Sequence, residues 1–341
     1  MSETLRILVT GTGGDLAQAI IKCLNLMNCP LRILGCDIEP DGIGPAFTQD
    51  FFQVPPADRP DYLDRIVNIC VKNHVHAIIP GSVPEMYVLS RALLQGKIAC
   101  RASLICQEYE WLERFGDKLT CFEALEGKVN LAPYASCSNK AGLKKFLDQH
   151  DFPCIVKSRR SWGSKSVNLV YNEDQLFRLL QDQPDLLIQE FIDKEYGEFS
   201  VGVFACNQFR TAIAFKRELG PVGASWYADN LDQDHEVLDY SVRIAEISGL
   251  QGSCNVQVRK GAKGVRLLEI NPRFSSLVAA RAACGFRDLE WSLLMALGMK
   301  ISEPALPFRP LRFRRYFHEL IDTGEGYFAP DQWIPRHKPL P

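Results

Sequence analysis

Ile7-Leu8-Val9 runs almost directly into Gly11-Thr12-Gly13-Gly14, and this junction limits the possible folds more than any other stretch of the chain. The apolar run Arg6–Thr10 has the length of a strand, and the glycines let the backbone reverse tightly before Asp15–Asn25, where apolar residues recur at helical spacing. Leu31–Cys36 is apolar again and stops at Asp37, which completes a strand–helix–strand unit. Such a unit lays its strands parallel with the helix across one face, so an open parallel sheet is expected. Tyr62–Asn73, with Leu63, Ile66, Val67 and Cys70 on one helical face, and the strand Ala77–Pro80 extend the pattern.

From about residue 110 the pattern changes from α/β to α+β. A helix over Leu143–Gln149 precedes the strand Pro153–Val156, a glycine- and serine-rich turn, the strand Ser166–Val170 and a helix over Asp174–Leu180 capped by Asn172. Leu186–Ile188 is a further strand, and Glu198–Ala205 with Thr211–Phe215 forms a hairpin across Cys206–Phe209. A helix over Glu236–Ser248 leads to strands Ser253–Val258 and Val265–Ile270 around Gly261-Ala262-Lys263-Gly264, and a helix from Leu277 to Ala283 closes at Gly285. The expected division is 1–110, 111–190 and 191–320, with 321–341 as an extended tail rich in proline and glycine.

With 46% apolar residues among 341, the chain can bury a core shared by two or three domains. A formal net charge of −2 without a long Lys/Arg run argues against nucleic-acid or membrane-surface binding through a broad basic field and favours a small charged ligand. Arg6 interrupts the start, and no apolar run approaches the roughly 18 residues of a membrane span, so a cytoplasmic location is expected. None of the twelve cysteines forms a Cys-x-x-Cys pair, and Cys36, Cys154, Cys206 and Cys254 sit in strand-like runs, which suits reduced, packed thiols. The six histidines lack zinc-ligand spacing with them.

Two features stand at the end of the parallel sheet. The Gly11–Gly14 cluster with Asp37 after the next strand imitates a dinucleotide fingerprint, yet the third glycine position is Ala17, so a small-ligand or purely structural turn is the better reading. Ser82 and Glu85 follow the strand Ala77–Pro80 at the carboxyl edge where open sheets bind ligands; a plain turn and helix cap accounts for them equally well.

Three later elements carry chemistry. Lys157 ends an apolar strand, and the loop behind it, with Ser161, Gly163, Ser164 and Ser166 among Arg159, Arg160 and Lys165, can present backbone N–H groups and hydroxyls to a polyphosphate. The apolar strand Leu186-Leu187-Ile188-Gln189-Glu190-Phe191-Ile192 with Glu198 suits a purine nucleoside: exposed strand backbone reads the base edge, apolar side chains sandwich the base and a carboxylate takes the ribose hydroxyls, though the residues alone also fit an ordinary strand pair. Finally, strand alternation puts Gln257 on one face with Asn255, and Glu269 with Asn271 and Arg273, while Val256, Val258, Leu268 and Ile270 point to the core. A three-residue loop Ala262-Lys263-Gly264 would set Gln257 opposite Glu269 and Asn255 opposite Asn271.

In this order the three elements resemble the ATP-grasp superfamily over roughly residues 5–300. Asn255-Val256-Gln257, Glu269-Ile270-Asn271-Pro272-Arg273 and Ala279–Phe286 look like the synthetase units of carbamoyl phosphate synthetase large chains and single-unit amino-acid ligases. The resemblance implies an N-terminal Rossmann-like pre-ATP-grasp domain, a lid subdomain and a central ATP-binding domain. It further implies that Lys118 and Lys157 bind ATP phosphates, Glu190 and Glu198 the adenosine, and Gln257, Glu269 and Asn271 magnesium or manganese. Arg273, beside Asn271, would hold a carboxylate, and Arg217 with Ser82 and Glu85 would complete the substrate site; a solvated Arg217 is the equal alternative. Gln257 in place of an acidic first metal position matches only the carbamoyl phosphate type, and with a single synthetase unit the chain is not expected to make carbamoyl phosphate itself. The expected activity is ATP-dependent carboxylate–amine ligation through an acylphosphate, with small-molecule substrates that include an amino acid. A homodimer is left open. The competing readings are thiol or carbamate transfer, and an NAD-dependent reductase or non-catalytic nucleotide-binding protein.

Overall fold

In the computed structural model, which describes residues 4–160, 166–220, 223–316, 319–322 and 327–328, β1 (Leu5–Thr10) and α1 (Asp15–Leu24) open the chain around the glycine turn. Next come β2 (Leu31–Asp37), β3 (Asp50–Gln53), α2 (Tyr62–Lys72), β4 (Ala77–Ile79), α3 (Val83–Leu94) and β5 (Ser103–Leu104). The five strands lie parallel in the order β3-β2-β1-β4-β5. Both faces are covered, which explains why β1 is continuously apolar: Ile7 and Val9 join Ile20 of α1, while Leu8 joins Ile66 and Ile69 of α2. The buried stripe of α2 is Tyr62, Ile66, Ile69 and Cys70; Leu63 and Val67 lie at its margin, a rotation from the expected face.

Strand order reverses between β1 and β4, and at that switch point the two loops after these strands touch. Gly81 makes this possible. A Cβ there would lie 2.0 Å from the Thr10 carbonyl oxygen and 2.6 Å from Ala17 Cβ, and the Gly81 N–H donates to Thr10 Oγ1 at 3.2 Å.

A second group comprises α4 (Tyr109–Phe115), α5 (Lys118–Leu125), β6 (Tyr134–Ser136), α6 (Lys140–Gln149), β7 (Cys154–Ser158), β8 (Val167–Val170), α7 (Glu173–Asp182) and β9 (Leu186–Glu190). Its strands form an antiparallel sheet in the order β6-β9-β7-β8, with Leu143 and Phe146 of α6 and Leu176 of α7 in its core. Because β9 is an interior strand with partners on both edges, its backbone is not open to a base; only the segment after Glu190 leaves the sheet.

The remaining strands, β10 (Gly197–Ala205), β11 (Arg210–Leu219), β12 (Ser225–Asp229), β13 (Gly252–Gly261), β14 (Gly264–Asn271) and β15 (Arg312–Arg314), form an antiparallel sheet ordered β14-β13-β10-β11-β12-β15. Helices α8 (His235–Ser248) and α5 pack on one face through Val237, Ile244, Phe122 and Leu125 against Val201, Val256, Val258 and Leu267. On the other face an aromatic cluster of Phe204, Phe215, Phe286 and Trp291 covers one end, under α9 (Val278–Ala283) and α10 (Asp288–Ala296). The rest of that face is polar. Of the expected tail 321–341 only a short antiparallel pair, Ile321–Asp322 with Tyr327–Phe328, lies among the described residues.

The twelve cysteines are free thiols, and Cys36, Cys154, Cys206 and Cys254 are buried. Among the described residues no helix is long and apolar enough to cross a membrane. The contact at Gly81 yields a first prediction: Gly81→Ala forces β1 or α1 to shift and costs about 1–3 kcal/mol, read as a lowered urea midpoint. A wild-type midpoint would contradict the close approach.

Candidate active site

The polar wall begins with one extra residue in β14. Asn255 faces Asn271 and Gln257 faces Glu269, the expected pairing, but Val258 then faces Leu267 and Gly261 faces Gly264. The connection is therefore a two-residue turn, Ala262-Lys263, with Gly264 at φ +85°, and the frame is corrected by a bulge at Leu268, not by a longer loop. The bulge changes which leucine is inside. Leu267 joins the core with Val256, Val258 and Ile270, whereas Leu268, expected there, is only half-buried.

What the bulge frees is used at once. Lys157 of β7 donates to the Leu268 carbonyl and to Gln189 Oε1, both at 2.8 Å, while Gln189 Nε2 donates to the Leu267 carbonyl at 3.3 Å. The sheet holding β7 and β9 is thus stitched to the edge of the other sheet through one buried ammonium. Phe122 of α5 lies under it, with Lys157 Nζ 5.2 Å from the ring centroid. Burial, then the like charge of Lys118, lowers the Lys157 pKa from 10.5 to about 7, with Glu269 opposing.

Lys118 opens α5, where the Asp117 side chain caps the helix by accepting from Leu119 and Thr120 N–H groups. Asp117 also accepts from Arg159 and Arg160, and the Lys118 N–H donates to the Arg159 carbonyl, so α5 is tied to the end of β7. From there Lys118 Nζ reaches Glu269 Oε2 at 3.1 Å, and Asn271 Nδ2 donates to Glu269 Oε1 at 2.9 Å. Burial pushes the Glu269 carboxyl up, but Lys118, Asn271 and Lys157 together hold it below its ordinary value, so it stays ionised.

Beside this group Glu198 bridges two arginines: Arg217 Nη2 donates to Oε1 and Arg259 Nε to Oε2, each at 2.8 Å. Arg217 Nη2 also donates to Gln257 Oε1 at 2.7 Å. Arg259 reaches the Ile192 carbonyl at 3.0 Å and lies 6.0 Å from the Phe191 ring centroid. Burial raises the Glu190 carboxyl, but Lys263 and Arg266, at 2.8 and 2.7 Å, hold it below its ordinary value. Arg273 donates to the Phe274 carbonyl, and burial lowers its pKa while Glu269 and Asp15 oppose the shift. It also lines a cavity of about 60 Å³ with Pro80, Gly252 and Met295.

Ser82 and Glu85 form a separate cluster at the switch point. Glu85 accepts from Ser82 Oγ at 2.7 Å and Tyr62 Oη at 3.0 Å, and its Oε2 would lie 2.9 Å from a Cβ on Gly11. Asp37 takes the Gly13 N–H at 2.7 Å. Asp37 and Glu85 lie against the glycine turn, with burial raising the Glu85 carboxyl, and Asp15 follows in the first turn of α1, so the turn suits an amine better than a pyrophosphate. Of the expected phosphate loop, Ser161, Gly163 and Ser164 lie outside the described residues; Ser166 is partly buried, and its carbonyl accepts from the Ser158 N–H. A cavity of about 630 Å³ between α5 and α6 is lined by none of these residues.

Residues 5–97 match a family described as PylC-like, N-terminal domain, and residues 182–317 one described as ATP-grasp in the biosynthetic pathway with Ter operon. The carbamoyl phosphate synthase large chain of Methanobrevibacter smithii is 29% identical over 170 residues, 45% of this chain and 16% of that protein. The C-terminal section of the Aquifex aeolicus enzyme is 22% identical over 224 residues, 61% and 40% of the two chains. Among solved structures, an ADP complex of N5-carboxyaminoimidazole ribonucleotide synthetase superposes with a TM-score of 0.72 at 15% identity, covering 92% of this chain and 81% of that one. Biotin carboxylase from Campylobacter jejuni, in a complex with a form of ATP, gives 0.71 at 13% identity, covering 88% and 72%. The chain has the ATP-grasp fold, and its residues 182–317 match an ATP-grasp family. It spans less than half the length of the carbamoyl phosphate synthase chains it matches.

The sequence reading of this ATP-grasp chain missed Gln189, Arg259 and the Leu268 carbonyl. Arg259 was detectable, since it shares the two-residue period of Asn255 and Gln257 along β13. Lys118, Lys157, Arg217, Arg259 and Arg273 stand against Glu198, Glu269 and, beside Arg273, Asp15, five cations to three carboxylates. Such a surplus favours an anion, and an anion would restore the Lys157 charge. Since Lys157 titrates at about 7, nucleotide binding at pH 8 should take up about one proton, and at pH 6 almost none. Calorimetry of ADP binding in buffers of differing ionisation enthalpy measures this; equal uptake by Lys157→Met would contradict it.

Proposed function

We propose that the chain is an ATP-dependent carboxylate–amine ligase that forms an acylphosphate, releases ADP and phosphate, and acts on small molecules that include an amino acid. The observation that carries this reading is the excess of cations around Lys157, at the meeting of two antiparallel sheets. We divide the chain for this purpose into 1–110, 111–190 and 191–320, with nucleotide between the second and third parts.

Lys118 and Lys157 would hold the phosphate oxygens, with Glu190, Phe191, Ile192 and Glu198 on the adenosine side. The donor set fits a hard divalent cation: Glu269 is held ionised, and Gln257 and Asn271 supply amide oxygens from neighbouring strand positions. Among the described residues no three His, Cys, Asp or Glu side chains gather as a metal cage, so the protein would supply a single formal charge and ATP the others. Magnesium, when bound, offsets the charge of the β- and γ-phosphate oxygens. Arg273 would receive the acid substrate's carboxylate. That carboxylate takes the γ-phosphoryl as the bond to the β-phosphate breaks, and the amine then displaces phosphate from the acyl carbon. The carboxylates of Asp37 and Glu85, the latter held by the Ser82 hydroxyl, would give the amine-bearing substrate a place at the switch point. A cytoplasmic setting suits this chemistry.

Phosphate release from ATP, assayed over paired amino acids, tests the proposal: release should need acid and amine together. Glu269→Gln should lower turnover at least about a hundredfold, whereas Lys157→Ala should also raise KM for ATP. Near-normal phosphate release by both variants, folded to wild-type melting temperatures, would contradict the assignment.

A further inference from the structure

The oxygen of Gln257 carries more demand than the ligase reading alone assigns to it. Gln257 Oε1 accepts from Arg217 Nη2 at 2.7 Å, and the same nitrogen donates to Glu198 Oε1 at 2.8 Å. Both ends of that bridge are almost fully buried, the Arg217 and Glu198 side chains each 8% exposed. Gln257 is also the residue directly opposite Glu269, where a divalent cation is assigned. An amide oxygen aimed at a guanidinium is poorly placed for a metal, and a dication beside Glu269 would face the Arg217 charge at close range in a partly buried site.

We propose that Arg217 and the divalent cation are alternative partners of Gln257, so that metal binding turns the Arg217 guanidinium away from Gln257 and toward the acid substrate. Glu198 makes the exchange feasible. It keeps Arg259 on Oε2 at 2.8 Å whichever way Arg217 turns, so no bare buried carboxylate is left behind. The released guanidinium has planar donors suited to a carboxylate or to its phosphorylated form. Loading of metal–nucleotide would therefore precede tight binding of the acid. This inference rests on the ligase reading for the position of the metal.

Titration of Mn²⁺ in the presence of ADP, followed by electron paramagnetic resonance, tests it without turnover. Arg217→Met should bind Mn²⁺ several-fold more tightly than wild type, and Gln257→Met more weakly. In the Gln257→Met background, adding Arg217→Met should leave Mn²⁺ affinity unchanged, because the contested oxygen is gone. If Arg217→Met kept its full effect there, the arginine would act only through its charge at a distance and the exchange would be refuted. Unchanged or weaker binding by Arg217→Met alone refutes it as well. Should the methionine variant melt early, Arg217→Gln, which retains a donor for Glu198, replaces it with the same expectation. If wild type bound no Mn²⁺ with ADP, the ligase reading and this inference would fall together, whereas normal binding without competition removes only the exchange.

Discussion

The bulge at Leu268 is the constraint on which the polar wall depends. One extra residue in β14 lets two adjacent leucines take different roles: Leu267 enters the core, and Leu268 turns its carbonyl to Lys157. Without it, the register set by the tight Ala262-Lys263 turn would carry on and Gln257 would not face Glu269. The same residue therefore fixes the oxygen donors on one sheet and provides the acceptor that ties in the other.

Lys157 is the other half of that joint. Its ammonium is satisfied by two acceptors, yet it sits in low dielectric beside Lys118, and its charge is therefore costly to keep. The protein tolerates this because Phe122, Gln189 and Glu269 surround it and because Asp117, by capping α5 and binding Arg159 and Arg160, fixes where Lys118 enters. A site assembled this way holds positive charge in reserve for a ligand that brings the negative charge. Glu198, taken up by two arginines, limits the surplus and keeps it from being a simple basic patch.

Much of this was legible in the sequence, for physical reasons that differ from residue to residue. The continuous apolar run of β1 and the glycines after it identified a parallel sheet because burial on both faces leaves no alternation. Two-residue periodicity put Gln257 and Glu269 on one wall, and Arg259 belonged to the same stripe. What the sequence did not reveal is local geometry without a compositional mark. The Leu268 bulge lies between two leucines that look alike, so the loop seemed a residue longer. Short elements such as β3, β5 and β6 contain only two to four residues and draw their stability from neighbours. The turning of the α2 buried face, which takes in Tyr62 and Ile69 in place of Leu63 and Val67, follows from its docking on β1 and β2 and not from the helix alone. The Arg217–Gln257 contact joins residues 40 positions apart through β10, a link no local pattern encodes.

The central claim is that nucleotide lies between the two antiparallel sheets, on Lys118 and Lys157. A crystal structure with ADP and Mn²⁺, using the anomalous signal of manganese, tests this most directly. The account predicts a manganese peak beside Glu269 with the diphosphate against both lysines. Nucleotide bound instead on the Gly11–Gly14 turn, with no manganese at Glu269, would contradict it.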